Sequence, residues 1–370
     1  MNVAQLKVKF ASVFVLSLLM SSAIAQSTIN QQNAHAGPTQ TAASALASLP
    51  EADTVIYASP QRILNEAAPK VVSATELAKL RAEFVDLKRT IGIDPASVEF
   101  VAIAVRFNKP QADLSFVAPD VLAVLSGDFS ADSMATLIGS LLQDQAKTEA
   151  YRSKTLTLFK VDPIAESAVK NPILKSFAEL GVVALNSNTL ALGTIPYLKS
   201  AVDASEGDGR INPMMLNSLL RDPNALISAS GSPLVAFTKS FGMLGTQTTP
   251  REATCNTRFG EFYSSVTLVG TNFSLRGAIN TDNPDTTKIM HSLISSLLEP
   301  AIGAIPDKQA QELIKRVKMS PRENEIVWEA DVATETVATY YREQTQPKPI
   351  PTTTTKPAAT KPKRRIRRKS

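Results

Sequence analysis

The chain has 370 residues, of which 44% are hydrophobic and 6% aromatic, with one cysteine, Cys255, and a formal net charge of +5. A chain of this length can bury a stable core without disulfide bonds. A single cysteine excludes an intramolecular disulfide and Cys-rich zinc sites. The low aromatic content gives no support to a carbohydrate-binding groove.

The first 25 residues have the pattern of a secretory signal peptide. Lys7 and Lys9 precede an apolar run from Phe10 to Met20, and Ala23 and Ala25 fit a small-x-small cleavage site. The run is too short to span a bilayer, and no later stretch approaches ~18 consecutive apolar residues. We therefore predict export to the periplasm or the extracellular space after cleavage following Ala25, with no transmembrane segment in the mature chain.

Two segments of unusual composition flank the body of the chain. Residues 26–48 are small and polar without a period, which predicts a disordered leader. Residues 346–370 are rich in Pro, Thr, Lys and Arg, which predicts an extended, disordered tail. The body between them is interpreted as a first half, residues 49–205, and a second half, residues 206–345.

Short strands and amphipathic helices alternate through the body. Ser73 and Glu76 form a capping box before a helical apolar stripe, and Asn212 precedes Pro213 as an N-cap. Further helices are expected over 133–143 and 334–344. Strands are expected over 54–58, 98–107, 121–126, 156–161, 182–185, 190–193, 262–269, 273–279 and 325–332, with hairpin turns at 186–188 and 270–272.

Two pairs of segments resemble each other and occur in the same order. DTVIYAS (Asp53–Ser59) resembles NALISAS (Asn224–Ser230), and LIGSLLQ (Leu137–Gln143) resembles LISSLLE (Leu293–Glu299). We infer a tandem duplication of one α+β unit. Hairpins interspersed with helices predict an α+β fold with mainly antiparallel sheets and helices on one side.

Few residues could support catalysis. One of the two histidines, His35, lies in the leader, and His291 lies beside the apolar stripe of a helix, where a half-buried packing role is expected. The sequence has no HExxH, G-x-S-x-G, G-x-G-x-x-G or phosphate-loop pattern. Ser167 and Lys170 match S-x-x-K, in which a lysine accepts the serine proton, but the companion K-T-G and S-D-N motifs are missing. We therefore predict no catalytic residues.

Acidic residues cluster in one short stretch, at Asp203, Glu206 and Asp208. Their spacing does not match the EF-hand calcium loop, which also ends in a bidentate glutamate. A solvated acidic turn is the preferred interpretation, with weak calcium binding as the alternative. We predict no metal site and no cofactor.

The basic charge is concentrated at the C-terminus. Seven of the last ten residues are basic and none is acidic; these are Lys361, Lys363, Arg364, Arg365, Arg367, Arg368 and Lys369. Removing the nine bases that follow Gln346 and the two in the signal peptide leaves 28 bases against 34 acids, a net charge of −6. The body therefore has no excess of basic residues for specific nucleic-acid binding, and the tail is predicted to bind an anionic envelope polymer or lipid surface.

Three stretches of the first half carry a family resemblance: LPEADTVIYAS, IGIDPASVEFVAIAVRF and VLAVLSGDFSADSM. They resemble uncharacterised bacterial exported proteins in which a signal peptide precedes a repeated α+β body. The resemblance implies the fold and export, and it implies no activity and no site residues.

Two functions follow as hypotheses. The first is a non-enzymatic envelope or extracellular binding or structural protein with a polycationic tail for anionic surfaces. The alternative is a periplasmic hydrolase that uses carboxylates or the Ser167–Lys170 pair between the two halves. A cytosolic nucleic-acid binder would not carry a cleavable signal peptide.

Overall fold

The computed structural model describes residues 40–91, 94–107, 119–142, 146–160, 179–232, 259–303, 305 and 307–345. These residues form one twelve-stranded sheet in the order β11-β12-β10-β9-β8-β1-β2-β3-β7-β6-β5-β4, and every described pair is antiparallel. The strands are β1 (Thr54–Ala58), β2 (Val98–Arg106), β3 (Asp120–Gly127), β4 (Ala146–Tyr151), β5 (Lys154–Lys160), β6 (Glu179–Asn186), β7 (Thr189–Thr194), β8 (Ala225–Gly231), β9 (Phe259–Val269), β10 (Asn272–Thr281), β11 (Lys318–Arg322) and β12 (Glu325–Ala333).

Helices connect these strands and pack on the sheet. They are α1 (Gln40–Ala47), α2 (Pro60–Arg62), a π turn (Ile63–Ala67), α3 (Ala68–Val71), α4 (Ala74–Ile91), a 3-10 turn (Pro95–Ser97), α5 (Ala131–Leu142), α6 (Ile195–Glu206), α7 (Pro213–Leu219), α8 (Pro284–Gly303), α9 (Lys308–Ile314) and α10 (Thr334–Thr345). The mixed α+β class with a mainly antiparallel sheet is confirmed, and all the described strands belong to a single sheet.

The order of the strands repeats on either side of the β1–β8 pair. Moving outward, β1-β2-β3-β7-β6 in the first half corresponds to β8-β9-β10-β12-β11 in the second, and β5 and β4 extend the first half. In both halves a helix follows the third strand (α5 and α8), and another follows the strand beside it (α6 and α10). This topological repeat is the arrangement that a tandem duplication produces.

Helices cover both faces of the sheet in the first half. On β6, Val183 belongs to a core cluster with Tyr197 and Leu198 of α6, whereas its neighbour Val182 belongs to a cluster with Met134 of α5. Consecutive residues of a strand point to opposite faces, so α5 and α6 lie on opposite sides of the sheet. We expected helices on one side only; the extra cover is possible because β6 and β7 are apolar on both faces.

In the second half, β10 directs neighbouring side chains to a core and to solvent. Leu275 of β10 packs in a cluster with Ala67, Val266 and the partly buried Val337 of α10. Its neighbour Arg276 points to the opposite face and is exposed. At this point of β10 successive side chains therefore face the core and the solvent in turn.

The leader is the segment where the structure departs most from the sequence prediction. Residues 40–47, which we expected to be disordered, form α1, and Leu46 and the following Leu49 are fully buried in the core of the first half. Leu49 is anchored further because its carbonyl accepts a 2.7 Å hydrogen bond from the Ile211 amide. The rest of the leader, the signal peptide and the tail from residue 346 lie outside the described residues.

Candidate functional site

One arginine bridges the three carboxylates of the acidic turn at the end of α6. Arg152, at the tip of the β4–β5 hairpin, has nitrogens 2.7 Å from Asp203, 3.0 Å from Glu206 and 3.0 Å from Asp208. The Tyr151 hydroxyl also donates to Asp203 at 3.1 Å. A guanidinium therefore occupies the centre of the cluster, where the calcium alternative would place a cation. The structure supports a solvated acidic turn that holds an edge hairpin against a helix.

The contacts around Arg152 change the ionisation of its partners. Hydrogen bonds from Arg152 and Ser153 to the Glu206 carboxylate lower the pKa of that group, because they stabilise its charged form. Hydrogen bonds to Glu206 and Asp208 raise the pKa of Arg152. Both groups are therefore charged at neutral pH, which maintains the ion pair between the hairpin and the helix.

A second candidate is a line of polar side chains across the second half and β1, which we call the polar row. Its outer end is charged, and its inner end, at Ser265, Ser228 and Tyr57, is buried. Its members are cross-strand partners on six adjacent strands. From β11 to β1 they are Lys318, Glu329, Arg276, Ser265, Ser228 and Tyr57. The three charged members alternate in sign, which favours cross-strand attraction, and Lys318 and Arg276 are exposed.

The hydroxyl groups of the polar row are not set up as nucleophiles. Ser265 Oγ donates to Asp222 Oδ2 at 3.3 Å, and no histidine or lysine in the described part of the chain takes the place of a base there. The Ser228 Oγ is buried without a hydrogen-bond partner. Only the outer end of the row, at Lys318, Glu329 and Arg276, presents charge to solvent, and this charge is of mixed sign.

A partly buried ion pair joins the end of β2 to the start of β3. Arg106 Nη2 lies 3.0 Å from Asp120 Oδ2, and Thr194 Oγ1 donates to Asp120 Oδ1 at 3.0 Å. The Arg106 guanidinium also stacks 4.5 Å above the ring of Tyr197, whose pKa is raised by burial. Both carboxylate oxygens of Asp120 are hydrogen-bonded, and these contacts link β2, β3 and β7, which indicates a structural role.

The remaining catalytic candidates are either structural or outside the described residues. His291 is half-buried on α8 with Nε2 3.3 Å from the Met319 carbonyl oxygen, as expected of a packing residue. His35, Ser167, Lys170 and Cys255 lie outside the described residues, so the S-x-x-K interpretation stays a prediction. The seven basic residues of the tail also lie outside them.

The described residues also show neither a metal-binding cluster nor a helix that could span a membrane. They contain no group of three or more His, Cys, Asp or Glu side chains that could hold a metal ion. None of their helices combines the length and the apolar character that crossing a bilayer requires.

Sequence analysis did not identify the polar row or the Arg152 cluster. The signal for the row was present, since Ser274, Arg276, Glu329 and Asp331 alternate with apolar residues along β10 and β12. The Arg152 cluster left no comparable signal, because more than 50 residues separate Arg152 from the carboxylates that it contacts.

Comparison with known proteins gives no family. No family model matches the chain and no curated protein matches it. Crystal forms III, I and IV of the bacterial protein TP0453 match weakly, with 10%, 10% and 11% sequence identity and TM-scores of 0.41, 0.40 and 0.41. The matches cover 80% of this chain and 97%, 96% and 95% of those chains.

Proposed function

We propose that this chain is an exported, non-enzymatic binding protein that contacts an anionic envelope polymer or lipid surface through its C-terminal tail. The separation of charge along the sequence carries the proposal, since seven bases lie in the last ten residues and the body has a net charge of −6. Each base near an anionic surface contributes about 1 kcal/mol at low salt, so the tail can hold the protein there reversibly.

The ion pairs of the body support this division of roles. Arg62, Arg106, Arg152 and Lys199 each pair with a carboxylate at 3.0 Å or less. Bases that are paired within the fold are less available to an external anion than bases with no acidic neighbours in sequence. The tail is therefore the segment best suited to an anionic surface.

The test is to measure binding of the purified mature protein to vesicles of anionic or zwitterionic lipid, and to anionic wall polymer, across a salt series. Replacing Arg367, Arg368 and Lys369 with Gln is expected to weaken binding at low salt by roughly fivefold per residue, since 1 kcal/mol is about that factor. A matched control exchanges Arg for Lys at positions 364, 365, 367 and 368, which keeps the charge and should keep the affinity. Binding that survives deletion of residues 346–370 and does not respond to salt would contradict the proposal.

Export is tested separately. The mature N-terminus is expected at Gln26, and N-terminal sequencing of protein from the periplasm or medium checks it. A full-length chain found only in the cytoplasm would contradict the proposal that the partner is an envelope polymer or lipid surface.

A further inference from the structure

The two outer strands of the sheet, β4 and β11, differ in whether their free edges can pair with another strand. An outer strand exposes a row of backbone N–H and C=O groups that can pair with another strand, and proteins commonly block such edges with proline or charge. β11 has the sequence KMSPR, with Pro321 inside it. β4 has the sequence AKTEAY, without proline or glycine.

The hairpin geometry shows which groups of β4 face outward. Arg152 and Ser153 form a two-residue turn between Tyr151 and Lys154, which are cross-strand partners. Residues that flank a two-residue turn exchange both backbone hydrogen bonds, and every second residue back along the strand does the same. The residues between them direct their N–H and C=O groups away from the sheet; these are Ala146, Thr148 and Ala150.

The same reasoning explains why β11 is closed to a partner. Its hairpin with β12 pairs Arg322 with Glu325 across a two-residue turn, so Pro321 occupies an outward position. Proline has no N–H to donate, and the edge loses a hydrogen bond in its middle. β4 alone, among the described outer strands, presents a full set of outward donors and acceptors.

We propose that two copies of this chain pair through β4, antiparallel and centred on Thr148. In this register Thr148 faces its counterpart, Ala146 faces Ala150, and the outward groups form about six backbone hydrogen bonds. Lys147 then faces Glu149 of the second copy, and Glu149 faces Lys147. The strand is self-complementary in charge across the twofold axis that such a pair requires.

Charge also selects this register over its neighbours. Only shifts that keep the outward residues opposite each other preserve the hydrogen bonds. The nearest such shifts place Lys147 opposite Lys147 or Glu149 opposite Glu149, and like charges directly opposite destabilise a strand pair. The side chains of Lys147 and Glu149 are 64% and 41% exposed, although each also contacts an intramolecular partner, Glu179 or Lys199.

The fold already contains an association of this kind. β1 and β8, the equivalent strands of the two halves, pair antiparallel and join both halves into one sheet. A β4–β4 pair would likewise join two equivalent strands in antiparallel fashion, and the sheet would then continue from one chain into the other. Because both edges are preformed, little ordering is required on association, although the contact is small and we expect a concentration-dependent dimer.

The test measures the mass of the mature protein by sedimentation equilibrium over a range of concentrations at 0.15 M salt, which screens the repulsion between the acidic bodies. Thr148→Pro removes one outward N–H that β5 does not use, and is expected to give a monomer at every concentration. Met319→Pro, at an outward position of β11, is the matched control and should leave the dimer unchanged. Circular dichroism checks that each variant is folded.

Charge variants test the register without altering the backbone. Lys147→Glu is expected to weaken the dimer by about tenfold, because two attractive pairs become repulsive. The double variant Lys147→Glu with Glu149→Lys should restore it. A wild-type protein that stays monomeric at all concentrations, or a dimer that is unaffected by both Thr148→Pro and Lys147→Glu, would overturn the proposal.

The position of the axis is tested by crosslinking. In a Cys255→Ser background, Thr148→Cys places two thiols opposite each other across the proposed axis and should give a covalent dimer on mild oxidation. Met319→Cys serves as the control and should not. Crosslinking through residue 319 and not through residue 148 would contradict the β4 pairing.

Discussion

The position of the indole ring of Trp328, the only tryptophan of the chain, depends on a glycine. Trp328 is the cross-strand partner of Gly277 on β10, and a Cβ atom at position 277 would overlap the indole ring. The indole Nε1 donates to Ser264 Oγ, one strand further, at 3.4 Å. The indole therefore lies flat over β10, and the glycine makes that approach possible.

Replacing Gly277 with Ala is expected to destabilise the protein by about 1–3 kcal/mol, the usual cost of overpacking a well-filled site. Urea unfolding followed by the fluorescence of Trp328 measures it. Gly303→Ala is the control, since a Cβ there meets no atom within 4 Å, and should change stability by less than about 1 kcal/mol. Equal effects of the two substitutions would show that the indole moves aside freely.

Arg152 controls the acid response of the β4–β5 hairpin. The folded pKa of Glu206 lies below its ordinary value of 4.5, so its contribution to stability is fully present above that pH. This contribution is lost as the pH falls through the folded pKa, because protonation then costs the contact with Arg152.

Arg152→Gln is therefore expected to lower the melting temperature at pH 7, and the difference from wild type should shrink as the pH falls below 4.5. Thermal unfolding between pH 3 and pH 7 checks this. The exposed Arg316 provides a control, since Arg316→Gln should shift the melting temperature little at any pH. A difference that stays constant across this range would rule out Glu206 as the titrating partner.

At the scale of elements, local signals in the sequence predicted the well-capped helices and the buried strands. The Ser73–Glu76 capping box forms as expected, with the Ser73 amide donating to Glu76 Oε2 at 3.2 Å and the Glu76 amide donating to Ser73 Oγ at 3.3 Å. Asn212 caps α7 by accepting from the Met214 amide at 2.8 Å. These motifs are readable because all their partners lie within three residues.

The elements missed by sequence analysis include α1, the short helical turns over 60–71, α9 and the two outer strands. β4 and β11 are short and polar, because an outer strand has a partner on one side only and needs no continuous apolar pattern. α1 carries one large apolar side chain, Leu46, among small and polar ones, so its sequence shows no apolar periodicity. Its place is set by tertiary packing of Leu46, which no local pattern encodes.

The packing of α1 predicts a large effect at one position. Leu46→Ala is expected to cost about 2–5 kcal/mol, since the side chain is fully buried in the core of the first half. Ser44→Ala, at an exposed position on the same helix, should stay within about 0.5 kcal/mol of wild type. Chemical denaturation of both variants compares them, and a neutral Leu46→Ala would mean that α1 does not belong to the core.

At the scale of the whole molecule, two of the segments that resemble each other in sequence are neighbouring strands in the sheet. The resemblance between Asp53–Ser59 and Asn224–Ser230 makes Tyr57 and Ser228 equivalent residues, and these two are cross-strand partners in the β1–β8 pair. The symmetry axis that relates the two β strands therefore passes between them. Similarity of short segments could indicate a repeat, but the pairing of equivalent strands with each other is a tertiary property and was not predictable.

The central position of the β1–β8 pair determines how the chain completes its sheet. About 170 residues separate the two strands, so their pairing closes a much longer loop than the hairpins on either side of them. The first half emerges first during synthesis, and β1 has β2 on one side and an open edge on the other until β8 arrives. The β1–β8 pairing at the middle of the sheet therefore forms late. Until it forms, the exposed edge of β1 is the place where an incompletely folded molecule can pair with the wrong strand.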